Sequence, residues 1–443
     1  MGAKQMVFGI PKKRCSGRLM IDHTHTTEFG FQTGVQRVVR KICEHANQAS
    51  SEMYNQVVPV MLDEAGFRAS NAFGPSLDTV GANSRSKRLP IIRQILASNK
   101  WLHSNRWWPT KRILPQCTGI DFSEGDTLLL PDAYWALPQV WPAVKKARMD
   151  GACTAVVIYD LIPHTHSDIY GEQGAEGFRN YIRTAFRHAD CFIAISQTVR
   201  NQLHTELPKI LGEPLSDFKI EYFDLGAEFE DTLGEIQNQV RQTFNCSTRV
   251  RPLLMVGTIE ARKNHHFVLD TMDKLWEHFP ERQLCIVGRP GWKGESVIDR
   301  IRKHTRYQKQ LFWFDNASDA DLLHCYKNTS GLIFASIAEG FGLPIVEALW
   351  HGCDAFVSDI DIHREVGKNN CSYFDLRCKD SLLQLLKTHE LPKESLANPP
   401  SSAHARVQIR PKSWSKSVEG LLEKIYTATP NVQQSIQVLA SSH

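Results

Sequence analysis

Short apolar runs alternate with stretches of helical periodicity along most of the chain. Before about residue 230 the runs VVPVML, TLLLP, TAVVIYDLI and CFIAIS have the length and β-branched content of buried strands. After residue 250, PLLMVG, QLCIVG, QLFWF, GLIFAS and AFVSD repeat the pattern. Alternation of this kind predicts two doubly wound α/β domains. Residues 1–235 are assigned to the first and residues 245–395 to the second, with the polar stretch Glu228–Arg251 connecting them. LLQLL predicts a further helix, and the following ELPKESLANPPSSAHA reads as an irregular surface connection. Helical spacing resumes through Trp414, Val418, Leu421, Leu422 and Ile425, predicting a helix over 412–428, and the closing NVQQSIQVLASSH is expected to be poorly ordered. No repeat of roughly 20 to 50 residues is visible, which argues against a solenoid.

A length of 443 residues exceeds what one hydrophobic core usually supports, in keeping with two domains. With 42% hydrophobic and 23% charged residues and a net charge of +4, the composition is that of an ordinary globular protein. The 11 cysteines form no C-x-x-C pair and no regular spacing, so they are expected to be reduced, mostly buried thiols rather than a zinc or disulfide framework. No apolar run approaches the roughly 18 to 20 residues of a membrane-spanning helix. The first twenty residues carry Lys4, Lys12, Lys13 and Arg14 without the apolar core of a secretory signal. A cytoplasmic protein is the expectation.

The most informative segment is EGFGLPIVE, bracketed by Glu339 and Glu347. The apolar run SGLIFAS precedes it as a buried parallel strand, and Ile345, Val346, Leu349 and Trp350 follow at helical spacing. Glu339 thus falls at a strand's carboxyl end and Glu347 about a turn and a half into the next helix, where open α/β sheets bind ligands. Gly340 and Gly342 allow close backbone approach, and Pro344 suits a first helical turn whose free N–H groups attract oxygen-rich ligands. Two carboxylates facing one crevice at different depths suit the hydroxyls of a sugar and a ribose.

Three other strand-to-helix junctions carry candidate chemistry. In VGTIEARKNHHF a strand ends at Gly257, and Arg262 with Lys263 precedes the next helix, an arrangement suited to anionic charge. In DHTHTTEFGFQTGVQRVVRKI, Gly30 and Gly34 open a helix with Val35, Val38, Val39 and Ile42 on one face, and such a loop can host an anion. After the strand AVVIY, Asp160, His164 and His166 are placed to orient hydroxyls, and the spacing does not choose among them. His164 and His166 lack a convincing third ligand for a metal.

Taken in order, LLMVGTIEARKNHHFVLDTM (253–272), LCIVGRPGWKG (284–294), the 331–350 block and FVSDIDIHREVG (356–367) followed by YFD resemble the retaining GT-B glycosyltransferases of glycosyltransferase family 4. That family includes many bacterial mannosyl- and rhamnosyltransferases. The resemblance is strong over about 250–376 and weaker at TGVQRVVRKI, LLLPDAYW, VVIYDLIPHTH and CFIAISQTVRNQL. It implies a GT-B fold, two Rossmann-like domains facing a cleft, with the nucleotide on the carboxyl half, the acceptor on the amino half and the terminal helix crossing back. It implies a retaining hexosyltransferase that moves a sugar from a nucleotide diphosphate to a polysaccharide or lipid-linked oligosaccharide. Front-face attack, with the departing phosphate taking the acceptor's proton, is the mechanism implied. Glu339 would hold hexose hydroxyls with the backbone N–H groups of Phe341, Gly342 and Leu343, and Glu347 would accept from the ribose. Lys263, beside Gly257, would neutralise the diphosphate. The family's usual arginine directly after the glycine is Thr258 here, so Arg262 would supply that charge from a different backbone position. Gly34, with Arg37 as a neighbour, would lie over the diphosphate. Such enzymes generally need neither a metal nor another cofactor, and GDP-mannose is the leading donor among bacterial relatives with similar segments. Intact Glu339, Glu347 and Lys263 argue against an idle sugar-binding GT-B module. A sugar-nucleotide epimerase would release no glycoside, and no pyridoxal-phosphate lysine context of a phosphorylase is found.

Between Gly81 and Arg112 the chain carries Arg85, Lys87, Arg88, Arg93, Lys100, Arg106, Lys111 and Arg112 with no acidic residue, interleaved with Trp101, Trp107 and Trp108. This suits an anionic membrane surface, the diphosphate of a lipid-linked acceptor, or a solvated basic loop. No recognition motif accompanies the charge, which argues against nucleic acid. The sequence leaves the oligomeric state open.

Overall fold

The computed structural model describes residues 17–29, 33–50, 53–72, 119–228, 234–244, 251–389 and 411–429. The basic segment 81–112, Gly30, the connection after residue 389 and the last residues from 430 lie outside the described residues.

Two sheets organise the chain. The first contains β1 (Arg18–Asp22), β2 (Gln56–Asp63), β3 (Gly66–Ala69), β4 (Thr127–Leu130), β5 (Cys153–Ile158), β6 (Cys191–Ala194) and β7 (Lys219–Tyr222) in the order β3-β2-β1-β4-β5-β6-β7. Its pairings are parallel except for the β2–β3 hairpin. The second contains β8 (Leu253–Val256), β9 (Leu284–Val287), β10 (Leu311–Phe314), β11 (Gly331–Phe334), β12 (Ala355–Ser358) and β13 (Ser372–Phe374) in the order β10-β9-β8-β11-β12-β13, parallel throughout. Strand order reverses between β1 and β4 and between β8 and β11, which opens a crevice at the carboxyl ends of those strands.

Helices cover both faces of each sheet. On one face of the first sheet, helices Val140–Met149, Ser167–His188 and Gln197–Leu211 bury Val144, Ile182 and Leu203. On the other, Val38, Val39 and Ile42 of helix Gly34–Ala49 meet Val418, Leu421, Leu422 and Ile425 of helix Trp414–Ala428. The last helix is anchored to the first domain. The backbone N–H of Trp414 donates to both carboxylate oxygens of Glu228 at 2.6 Å, and Ser417 Oγ donates to the carbonyl of Asp224 at 2.7 Å. A Cβ at Gly226 would lie 2.6 Å from Trp414 Cα, so only glycine admits the helix at that distance.

The stretch Glu228–Arg251, read as polar connection, contains helix Asn238–Thr243. Val240 and Phe244 enter the second domain's core with Leu322 and Tyr326, and the backbone N–H of Gln237 donates to Asp321 at 2.7 Å. Ile236, Val240 and Phe244 do recur at helical spacing there, but the helix is only six residues long and polar at its other positions, which leaves the period weak. All eight described cysteines are free thiols, and burial pushes the Cys43 thiol well up. No helix among the described residues is long and apolar enough to cross a membrane.

Candidate active site

The turn after β11 delivers Glu339 to two cations that follow β8. Its Oε2 lies 2.6 Å from Arg262 Nη1 and its Oε1 2.5 Å from Lys263 Nζ, while Arg262 Nη2 reaches Glu260 at 2.8 Å. Burial pushes the Glu339 carboxyl up, but Arg262 and Lys263 outweigh it and hold the group well below the usual carboxylate range. Burial and the neighbouring Arg262 lower the Lys263 ammonium, against the pull of Glu339. Lys263 Nζ also lies 4.7 Å from the centre of the Phe334 ring. Gly257, at φ +148°, makes room for it, since a Cβ there would stand 3.2 Å from Lys263 Cε. The cations lie on the one-turn helix Ala261–Lys263, and Asn264 at φ 58° turns the chain into helix His265–His278.

The first domain meets this cluster at the end of β5. A Cβ on Gly340 would lie 2.0 Å from the Tyr159 carbonyl oxygen, and Ser196 Oγ donates to the Gly340 carbonyl at 2.8 Å. Asp160 accepts from the backbone N–H of Ile162 at 2.9 Å. Burial raises its carboxyl, with nearby Arg262 opposing that rise. Of the three polar candidates on this loop, Asp160 is the one brought to the cations. His164 turns to Glu206 at 3.2 Å on helix Gln197–Leu211, and His166 shares a hydrogen bond with Thr165 at 2.9 Å.

Gly342, at φ +99°, leads into helix Leu343–Trp350, with Pro344 in its first turn. Glu347 is buried, and its Oε2 accepts from the Tyr326 hydroxyl at 2.7 Å. Its Oε1 pairs with the Arg37 guanidinium, which crosses from the first domain and also reaches Asp319 at 2.7 Å. Gly34 stands beside the same helix, where a Cβ would lie 3.6 Å from Leu343 Cδ1. Phe341 and Val346 pack into the first domain's apolar cluster. A further crossing joins Glu365 to the backbone N–H groups of Gln197 and Thr198, at 2.8 and 2.7 Å, at the start of helix Gln197–Leu211.

Several polar residues had no role in the sequence reading. Asp22 ends β1 and Asp132 follows β4, both at 0% exposure. Asp22 accepts from the Thr24 and Tyr134 hydroxyls at 2.5 and 2.7 Å, and burial pushes its carboxyl up to about 7 despite those bonds. His25 stands 3.7 Å from Asp132. In the second domain His363 shares a hydrogen bond with the Ser358 carbonyl at 2.9 Å, and burial lowers its imidazole to about 4. The available signal was positional: RLMID and TLLLPD each place an acid at the end of an apolar run. Among the described residues no group of three His, Cys, Asp or Glu side chains is arranged to hold a metal ion.

The sequence profile described as "Glycosyl transferases group 1" matches residues 238–374. A serotype-specific mannosyltransferase WbdA of Escherichia coli is 26% identical over 434 residues, 95% of this chain and 46% of its own. An O-antigen chain mannosyltransferase B of Escherichia coli is 30% identical over 114 residues, 26% of this chain and 30% of its own. The chain spans about half the length of the curated relatives it matches end to end. A sucrose-phosphate synthase from Thermosynechococcus elongatus aligns over 96% of this chain and 100% of its own, with a TM-score of 0.57 at 14% identity. That likeness is one of fold, the GT-B pair of Rossmann-like sheets.

Proposed function

We propose that the chain, which matches the group 1 glycosyltransferase profile over residues 238–374, is a retaining hexosyltransferase. It moves mannose from GDP-mannose to a polysaccharide or lipid-linked oligosaccharide. The observation that carries the reading is the buried Glu339 carboxylate gripped by Arg262 and Lys263 where the two domains touch. An ionised acid there accepts hydrogen bonds from hexose hydroxyls. The same two cations stand where charge develops on a departing diphosphate, and such stabilisation is a large catalytic contribution. Glu347 takes the ribose. Asp160, on the facing domain, orients the acceptor hydroxyl. No metal ion or other cofactor enters the proposal.

A thermal-shift panel of GDP, UDP, ADP and dTDP tests the donor, because ligand at about 100 times its dissociation constant adds about 2.7 kcal/mol of stability. The expected result is a shift with GDP alone, followed by transfer from GDP-mannose with the α-configuration kept. Stabilisation by another nucleotide would replace the donor. Donor turnover without any glycoside would replace the transferase with an epimerase or hydrolase.

The segment 81–112 is proposed to hold the enzyme against the anionic inner face of a membrane, supported by its uncompensated charges and three tryptophans. Co-sedimentation with anionic but not neutral vesicles, weakening with salt, is the expected behaviour. Equal sedimentation of the wild type and a variant with Arg85, Lys87, Arg88 and Arg93 changed to Ser, or none at all, would return the segment to a solvated loop.

A further inference from the structure

The described residues leave three large apolar side chains exposed: Met149 (77%), Trp135 (46%) and Trp292 (40%). Met149 ends a helix that has run back from the carboxyl edge of the first sheet. Trp135 follows β4 at the carboxyl edge of the first sheet, and Trp292 follows β9 at that of the second.

Trp135 lies on the single 3-10 turn Tyr134–Ala136 beyond β4, and that turn is fixed from beneath. Asp132 accepts from the backbone N–H groups of Thr26 and Ala133, at 2.7 and 2.9 Å, and from the Thr26 hydroxyl at 3.1 Å. Tyr134, 1% exposed, sends its hydroxyl down to Asp22 at 2.7 Å. With Tyr134 held inward, the neighbouring indole is turned out, its ring edge-on to Tyr181 at 6.1 Å. Trp135 follows β4 and Asp160 follows β5, the neighbouring parallel strand, so the indole and that carboxylate lie along the same carboxyl edge of the first sheet. From the facing domain, Lys293, the chain neighbour of Trp292, donates to the Ile169 carbonyl at 2.9 Å.

We infer that Trp135 is the platform on which a sugar ring of the acceptor stacks. This rests on the transferase reading and adds the place and the mode of acceptor binding. A pyranose presents a face of C–H groups that covers an aromatic ring, and a hydroxyl edge that needs polar partners. Trp135 offers the first, and Asp160, after the neighbouring strand on the same sheet edge, offers the second. An indole locked in a buttressed turn also loses little conformational freedom when a ligand covers it.

The test is calorimetric titration of mannotriose into the GDP-loaded full chain. Trp135→Ala should weaken mannotriose binding about tenfold, and Trp135→Phe, which keeps a ring face, should restore most of it. GDP affinity, measured on the same preparations, reports that the variants remain folded. Equal mannotriose affinity in wild type and Trp135→Ala overturns the inference, as does a wild type that does not bind mannotriose. Trp135-dependent binding in a protein that releases no GDP from GDP-mannose keeps the platform and removes the transferase reading. Turnover with Trp135-independent acceptor affinity does the reverse.

Discussion

Arg37, on a helix of the first domain, neutralises Glu347, on a helix of the second. Glu347 is almost fully buried, whereas the Arg37 side chain is 22% exposed and extends its other arm to Asp319. The carboxylate proposed for the ribose is therefore satisfied from across the cleft, which links closure of the domains to the nucleotide site. Removing one partner of a fully buried pair costs on the order of 3–5 kcal/mol, and partial exposure of Arg37 puts this pair toward or below the low end. Arg37→Ala should lower the unfolding temperature and increase the radius of gyration measured by small-angle X-ray scattering. An unchanged radius in folded protein would show that other crossings alone hold the domains together.

Gly340 supplies one of those crossings. Its missing Cβ is the space occupied by the Tyr159 carbonyl, which a methyl group would meet at 2.0 Å, and backbone on both sides has nowhere to yield cheaply. Gly340→Ala should leave both sheets folded, by circular dichroism, while separating the domains and abolishing transfer. Retention of wild-type transfer would mean that the contact is not required for activity.

Lys263→Ala removes one of two cations from Glu339 and from the proposed diphosphate. Loss of a single electrostatic contact of this kind lowers turnover by about 10² to 10³. The expected signature is a fall in kcat with a small change in KM for the donor, because the charge it stabilises grows as the bond breaks. A folded variant with unchanged kcat would end that assignment.

Much of this site was legible because its chemistry sits at strand ends. Buried strands such as GLIFAS and PLLMVG are continuous apolar runs, so the residues just past them, Glu339 and Gly257, could be placed without a structure. β1 escaped notice although it is central, because its three apolar residues lie between Arg18 and Asp22. Both are polar residues made tolerable by partners, Asp126 at 2.5 Å for Arg18 and Tyr134 for Asp22. The edge strands β3 and β7 are short and partly exposed, which dilutes periodicity. The meeting of Arg37 with Glu347, 310 residues away in the chain, has no local signature at all.

The buried acid at the end of β1 gives the stability of the protein a pH dependence whose sign can be worked out. Asp22 is pushed up to about 7 by burial, with Asp132 adding to the rise, whereas the unfolded chain titrates near the ordinary 3.8. Between about pH 4 and pH 7 the folded protein keeps a proton that the unfolded chain has lost, so stability falls as pH rises through that window. His23 and His363, lowered to about 4, and His265, lowered to about 3, act oppositely, because the folded protein keeps them neutral while the unfolded chain binds protons. The total slope mixes these effects, and a comparison with Asp22→Asn isolates one of them. Asparagine reproduces the neutral side chain, can still meet Thr24 and Tyr134, and does not ionise. The unfolding temperature of the wild type relative to Asp22→Asn should therefore fall between about pH 4 and about pH 7, by an amount on the order of a few kcal/mol in stability, and level off above. A difference between the two proteins that stays constant across that range would show that Asp22 is ionised in the folded state throughout.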